Sequence, residues 1–204
     1  MTHDGGASGS HRDTAIRDSE VALIPRTETV RCIEDRARSL QGWRDDVWIE
    51  RLRVQRYRGP AGHYSHHFDW SSNYGGWGRV SSFMVWVDDG STISSSTTAG
   101  GSELEDSESL LLEGGGTEFP RLKRRGDRRW CAFVECPSSA MGDDGEDEGG
   151  VGVVFKPLPG NAVYWENFRS DGTGRGYEEA WHAGLPVTKG VKVGLNIWSS
   201  GRID

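Results

Sequence analysis

The sequence predicts a mainly β domain, a sandwich or barrel, with one helix ahead of about eight short strands. Three observations carry this. Only residues 27–40 place apolar side chains at helical spacing on one face. Downstream, short alternating or β-branched runs recur between turn residues. Gly accounts for 29 of 204 residues beside 9 Trp, 6 Phe and 5 Tyr, which fits an aromatic core with polar, glycine-rich loops better than an aromatic-poor disordered chain.

The elements follow in order. Residues 1–19 are Gly, Ser, Asp, His and Arg without periodicity and read as a disordered, solvated tail, leaving 20–204 as a single domain. Thr27 or Thr29 can cap a helix to about Leu40, with Val30, Ile33, Ala37 and Leu40 on its apolar face, Cys32 buried or half-buried in it and Gly42 as its stop. Strand character begins at Val47, and residues 51–57 alternate polar and apolar. A turn at Gly59-Pro60-Ala61-Gly62 leads to the aromatic, His-rich residues 64–70, a loop over 71–78 and a strand over 80–87. Residues 90–113 read as an inserted acidic loop, and 137–149 as a second. Between them, order resumes at Thr117, residues 121–129 form a basic stretch read as a solvated hairpin, and 130–134 a short strand. Strands over 151–156 and 162–166, a glycine-rich loop over 169–176, and strands over 177–183 and 191–198 complete the chain.

The charge is uneven. The net value is −7, yet residues 88–113 hold seven acids and no base, and residues 141–150 hold five acids and no base. The rest of the chain is net positive, so the acidity belongs to two segments and argues against phosphate tracking by those surfaces. No apolar run approaches the ~20 residues of a transmembrane helix, and the first residues contain no apolar leader run. Three Cys cannot all pair and no C-x-x-C occurs, which excludes a disulfide scaffold and a Cys-based zinc ribbon. Cys131 and Cys136 would bridge in an oxidising compartment.

His67-x-Asp69 is the first candidate for chemistry. On a strand, residues i and i+2 project from one face, so an imidazole and a carboxylate would stand side by side. His182, the sole His beyond this segment, completes a two-His, one-carboxylate set of the kind that holds non-haem iron with coordination positions open. The same pair also reads as a hydrogen-bonded strand pair. His63 and His66 compete as ligands, although neither has an Asp two residues on, and His11-Arg12-Asp13 repeats the pattern within the tail. Lys192 opens the alternating run 192–198. A Lys facing an interior is costly unless it meets an anion, whereas one facing water needs none.

An ordered series of motifs then appears: Tyr57, Tyr64-x-x-His67-Phe68-Asp69, Arg79, Gly115-Gly116-Thr117-Glu118-Phe119-Pro120, Lys156-Pro157-x-Pro159-Gly160-Asn161-Ala162, and His182-Ala183-Gly184-x-Pro186-Val187 followed by Lys192 and Trp198. The series resembles the prolyl 4-hydroxylase family of iron(II)- and 2-oxoglutarate-dependent dioxygenases over about residues 19–200, outside the two acidic inserts. The resemblance implies a double-stranded β-helix (jelly-roll) core flanked by the N-terminal helix. It implies that His67, Asp69 and His182 form the catalytic iron site, that Lys192, Tyr57 and Thr117 bind the far carboxylate of 2-oxoglutarate, and that Arg79, Tyr64 and Trp198 line the peptide side. The implied reaction hydroxylates peptidyl proline, as in procollagen, with O2, Fe(II) and L-ascorbate, and couples this to oxidative decarboxylation of 2-oxoglutarate to succinate. The implied partner is a proline-containing peptide or protein, with Tyr64, Trp70, Trp165 and Trp181 available as groove walls or as core.

The family usually carries a further helix and strand before the first helix, so a missing edge element and an exposed strand edge are expected. Many relatives work in the endoplasmic reticulum, while the start of this sequence keeps the cytoplasm open. Two other functions compete: a non-catalytic jelly-roll peptide-binding module derived from this family, and a nucleic-acid demethylase. The latter usually clamps 2-oxoglutarate with Arg residues after the distal His, where this chain has Lys192 and only Arg202. No nucleic-acid partner and no membrane span are expected.

Overall fold

The computed structural model describes residues 13–70, 76–89, 111–124, 126–136 and 150–203. Most of their strands lie in two antiparallel sheets. One contains β1 (Arg17–Asp18), β5 (His63–His67), β8 (Thr117–Arg124), β9 (Gly150–Phe155) and β11 (His182–Gly184), in the order β1-β5-β11-β8-β9. The other contains β2 (Glu20–Leu23), β4 (Arg53–Arg58), β6 (Trp77–Asp88), β10 (Ala162–Glu166) and β13 (Val191–Arg202), in the order β10-β6-β13-β4-β2. β3 (Val47–Ile49) also pairs with β13, and β7 (Glu113–Gly114) pairs with β12 (Val187–Lys189). The chain crosses between the sheets, from β4 to β5 and back to β6, so segments far apart in sequence become neighbours. This is the jelly-roll architecture with its N-terminal helix.

Helix α1 (Glu28–Leu40) forms for local reasons. The Thr27 hydroxyl accepts a hydrogen bond from Val30 N, and Glu28 sits in the first turn, where the helix dipole favours an acid. Gly42, at φ 77°, closes the C-terminal end, with the Trp43 N–H donating to the Arg38 carbonyl at 2.9 Å. Val30 and Ala37 face Ile49, Leu52, Phe83, Leu195 and Ile197 in one apolar core, with Ile33 packed against it. That core lies on the outer face of the second sheet.

The alternation along β13 separates core from cavity. Leu195 and Ile197 point to the helix; Lys192, Gly194, Asn196 and Trp198 lie on the other face, turned to the barrel interior. β4 and the residue before it do the same, with Leu52 and Val54 toward the helix and Gln55 and Tyr57 inside.

Several expectations are corrected. The tail does not run to residue 19, because Arg17–Asp18 pair with Tyr64 and His63, and Glu20–Leu23 pair with β4. Residues 130–134 are not a strand: Arg128–Ala132 form a 3-10 turn whose Asp127 carboxylate accepts from Arg129 N, and a Cys131–Cys136 disulfide closes the segment. The strand expected over 177–183 starts late, after a 3-10 turn at Glu178–Ala180. The basic stretch contributes Arg121–Arg124 to β8 instead of a separate hairpin. Cys32 is exposed, since it lies away from the Val30–Ala37 face of α1. Residues 1–12, 90–110 and 137–149, where the rest of the tail and nearly all of both acidic inserts were expected, lie outside the described residues. Among the described residues no helix is long and apolar enough to cross a membrane.

Candidate active site

The site grows from a cross-strand pair. β11 lies beside β5 with His182 directly opposite His67, and the two rings are 4.3 Å apart between centroids. Asp69 follows just past the end of β5, in a bend, so its approach does not depend on the strand alternation that suggested it. Its Oδ1 is 3.7 Å from His67 Nε2. Ligand atoms of His67, Asp69 and His182 all lie within 4.8 Å of one another.

The hydrogen bonds behind these groups set their chemistry. Nδ1 of His67 lies 2.8 Å from the Ser65 carbonyl, and Nδ1 of His182 lies 2.8 Å from the Ala180 carbonyl. A carbonyl only accepts, so each Nδ1 carries a proton and Nε2 is the atom of each ring left to offer a lone pair to a metal. Burial, reinforced by His182, holds the His67 imidazole below its ordinary pKa and therefore neutral. For Asp69, burial pushes the carboxyl up, but His182, His67 and Arg79 outweigh it and keep the group ionised. Two imidazoles and a carboxylate are ligand types that suit a divalent transition ion with positions left open, so the donor set fits iron(II).

Trp198 Nε1 donates to Asp69 Oδ2 at 3.0 Å, which fixes the carboxylate plane. The Arg79 guanidinium stacks on the Trp198 ring at 3.8 Å and forms a two-point ion pair with Glu50, at 2.7 and 3.0 Å. Arg79 and Trp198 are thus tied into a support behind Asp69. Tyr64 stacks on the His67 ring at 3.7 Å between centroids, and Arg17 lies over Tyr64 at 4.8 Å.

The same cavity continues from the triad to Tyr57, Tyr64, Thr117, Trp165 and Lys192. Lys192 is 1% exposed. Its Nζ donates to the Gly115 carbonyl at 2.6 Å, and no carboxylate meets it among the described residues. Burial pulls its pKa down to about 8. A buried ammonium without an anion is the cost that a carboxylate ligand would offset. Thr117, 4% exposed, faces this end, and the Tyr57 hydroxyl donates to Gln55 Oε1.

Of the aromatic wall candidates, Trp165 lines the cavity edge-on to His182, Trp181 packs on Phe68, and Trp70 packs on Phe168. Sequence reasoning missed Gln55, Asn196, Glu50 and Arg17. Gln55 was legible in principle, since it stands two residues before Tyr57 on one strand face.

Comparison with known proteins gives the family and the fold. A model of the 2OG-Fe(II) oxygenase superfamily matches residues 52–200. The chain therefore belongs to that superfamily, whose chemistry uses iron(II) and 2-oxoglutarate. In fold it is similar to a viral collagen prolyl hydroxylase from Paramecium bursaria Chlorella virus-1, solved as a 2-oxoglutarate complex, at 22% identity and a TM-score of 0.56, covering 91% of this chain and 80% of that one. It is also similar to a Pseudomonas putida prolyl-4-hydroxylase, at 15% identity and a TM-score of 0.52, covering 93% and 75% of the two chains. No curated protein sequence matches.

Proposed function

We propose that the chain hydroxylates peptidyl proline as a prolyl 4-hydroxylase-like dioxygenase, with ascorbate sustaining its iron in the ferrous state. The observation that carries this reading is one cavity holding a His-Asp-His cluster at one end and, at the other, a buried ammonium that meets no carboxylate among the described residues. A keto-diacid has the matching polarity. The names of the two prolyl hydroxylases similar in fold support the choice of substrate.

In this reading His67, Asp69 and His182 would hold the iron, and Lys192 with Thr117 would bind the far carboxylate of 2-oxoglutarate. When bound, iron and 2-oxoglutarate together supply the oxidising chemistry that activates O2 for C–H hydroxylation. The chain's own share is positional. Its carbonyl-bound imidazoles keep their lone pairs inward, and Trp198 and Arg79 brace Asp69. Trp165 and Phe119 pack around His182 and limit water there. Tyr64, held between His67 and Arg17, borders the cavity beside the His-Asp-His cluster on the side where a peptide would enter.

The test incubates anaerobically purified protein with Fe(II), ascorbate, 2-oxoglutarate and a proline-rich peptide, then admits air. Succinate should form together with peptide carrying the mass of one added oxygen atom. Iron-loaded, folded protein that yields neither product would reject the proposal; peptide binding without succinate would favour the non-catalytic module.

A further inference from the structure

The inner end of the cavity contains a polar side chain with no assigned task. Gln55 is 2% exposed and lines the cavity with Tyr57 and Lys192. Its position follows from register: on β4 it is one same-face step from Tyr57, which pairs with Lys192, while Gln55 itself pairs with Gly194. Gly194 has no side chain, and the Met84 methyl fills the space a Cβ would take there, an apolar neighbour that offers the Gln55 amide no hydrogen bond.

The amide's two ends differ. Oε1 accepts a hydrogen bond from the Tyr57 hydroxyl, whereas Nε2 is buried without a hydrogen-bond partner among the described residues. A buried N–H left without an acceptor is destabilising unless a ligand takes it. Burial pushes the Tyr57 phenol up to about 12, so it remains a proton donor, and that proton is spent on Gln55. The amide is thereby turned with its donor end free, in the cavity where Lys192 awaits an anion.

The geometry points to Gln55 Nε2 as a direct donor to the far carboxylate of the keto-diacid, with Tyr57 acting as the residue that orients the amide. This rests on the functional reading above and deepens it. Lys192 supplies charge, Gln55 supplies a directed N–H, and Tyr57 acts through Gln55. The Tyr57 hydroxyl therefore contributes less to diacid binding than the sequence resemblance implies.

The test is calorimetric titration of Mn(II)-loaded protein with 2-oxoglutarate and, separately, with pyruvate, which keeps the 2-oxo acid end and lacks the far carboxylate. Gln55→Leu should weaken 2-oxoglutarate binding roughly tenfold or more, the range of a hydrogen bond to a charged group, and leave pyruvate binding unchanged. Gln55→Glu, which keeps the shape and removes the donor, should lose at least as much. Tyr57→Phe should cost only roughly threefold, as expected for a neutral hydrogen bond. Melting of each ligand-free variant, compared with wild type, separates misfolding from lost recognition. Wild-type affinity for 2-oxoglutarate in a folded Gln55→Leu, or a larger loss in Tyr57→Phe than in Gln55→Leu, overturns the inference while the functional reading survives. A wild-type protein that binds no 2-oxoglutarate overturns both.

Discussion

Replacing Lys192 by Met should make the ligand-free protein more stable while removing its affinity for 2-oxoglutarate. The magnitude follows from burial. Lys192 is 1% exposed, and its pKa falls from 10.5 to about 8. At about 1.4 kcal/mol per unit, holding the ammonium inside costs about 3 kcal/mol at neutral pH. The sign is fixed by proton counting. Between about pH 8 and 10.5 the unfolded chain binds more protons than the folded one, so stability rises with pH through that window. Below about pH 8 both states are protonated and the full cost remains. Met fills a similar volume without charge, but the Gly115 carbonyl loses its donor, a loss of about 1 kcal/mol. The net gain is about 2 kcal/mol, or roughly 4–8 °C in melting temperature for a chain of this length. Calorimetric melting with and without 2-oxoglutarate is the assay. Wild type should melt higher with the ligand and Lys192→Met should not respond. In wild type, 2-oxoglutarate affinity should fall as pH rises past about 8, because the ammonium loses its proton there. A variant that melts below wild type, or that keeps the full ligand response, would refute the reasoning.

Other outcomes are equally specific. Trp198→Phe keeps a ring under Arg79 but removes the 3.0 Å donor to Asp69, so metal affinity should fall roughly 10–100-fold in an equilibrium titration, with little change in fold by circular dichroism. Leu52→Ala empties a fully buried position between helix and sheet and should cost about 2–5 kcal/mol in urea unfolding, without altering metal affinity in the folded fraction. Gly62→Ala would set a methyl 2.5 Å from Arg58 backbone nitrogen, just before β5, and should lower both stability and iron binding; unaltered melting and metal titration would contradict the placement of that turn.

What the sequence revealed depended on how local the causes were. The helix was legible because Thr27, Val30, Ala37 and Gly42 act within a few turns of one another. β13 was legible because alternation marks both of its faces. The triad was suggested by residue type and by the order of motifs; the contact of His182 with His67 is a cross-strand pairing that no local pattern encodes. The same reason hid β1. Two residues, Arg17–Asp18, carry no period, and their order comes from pairing with Tyr64 and His63. At Arg128–Ala132 the aromatic residues suggest a strand, whereas Trp130 and Phe133 are each 47% exposed and Asp127 starts a tight turn. The alternation along β4 marks Gln55 as inward-facing but does not encode its hydrogen bonding. Its free Nε2 becomes evident only when every donor around Tyr57 is accounted for.

The most direct measurement is an anaerobic Fe(II) titration of wild type beside His67→Ala, Asp69→Ala and His182→Ala. One iron per chain should bind to wild type, and each substitution should weaken binding by roughly 100-fold or more, as expected when one of three ligands is removed. Undiminished iron affinity in folded His182→Ala would show that the 67/69/182 cluster is not the metal centre.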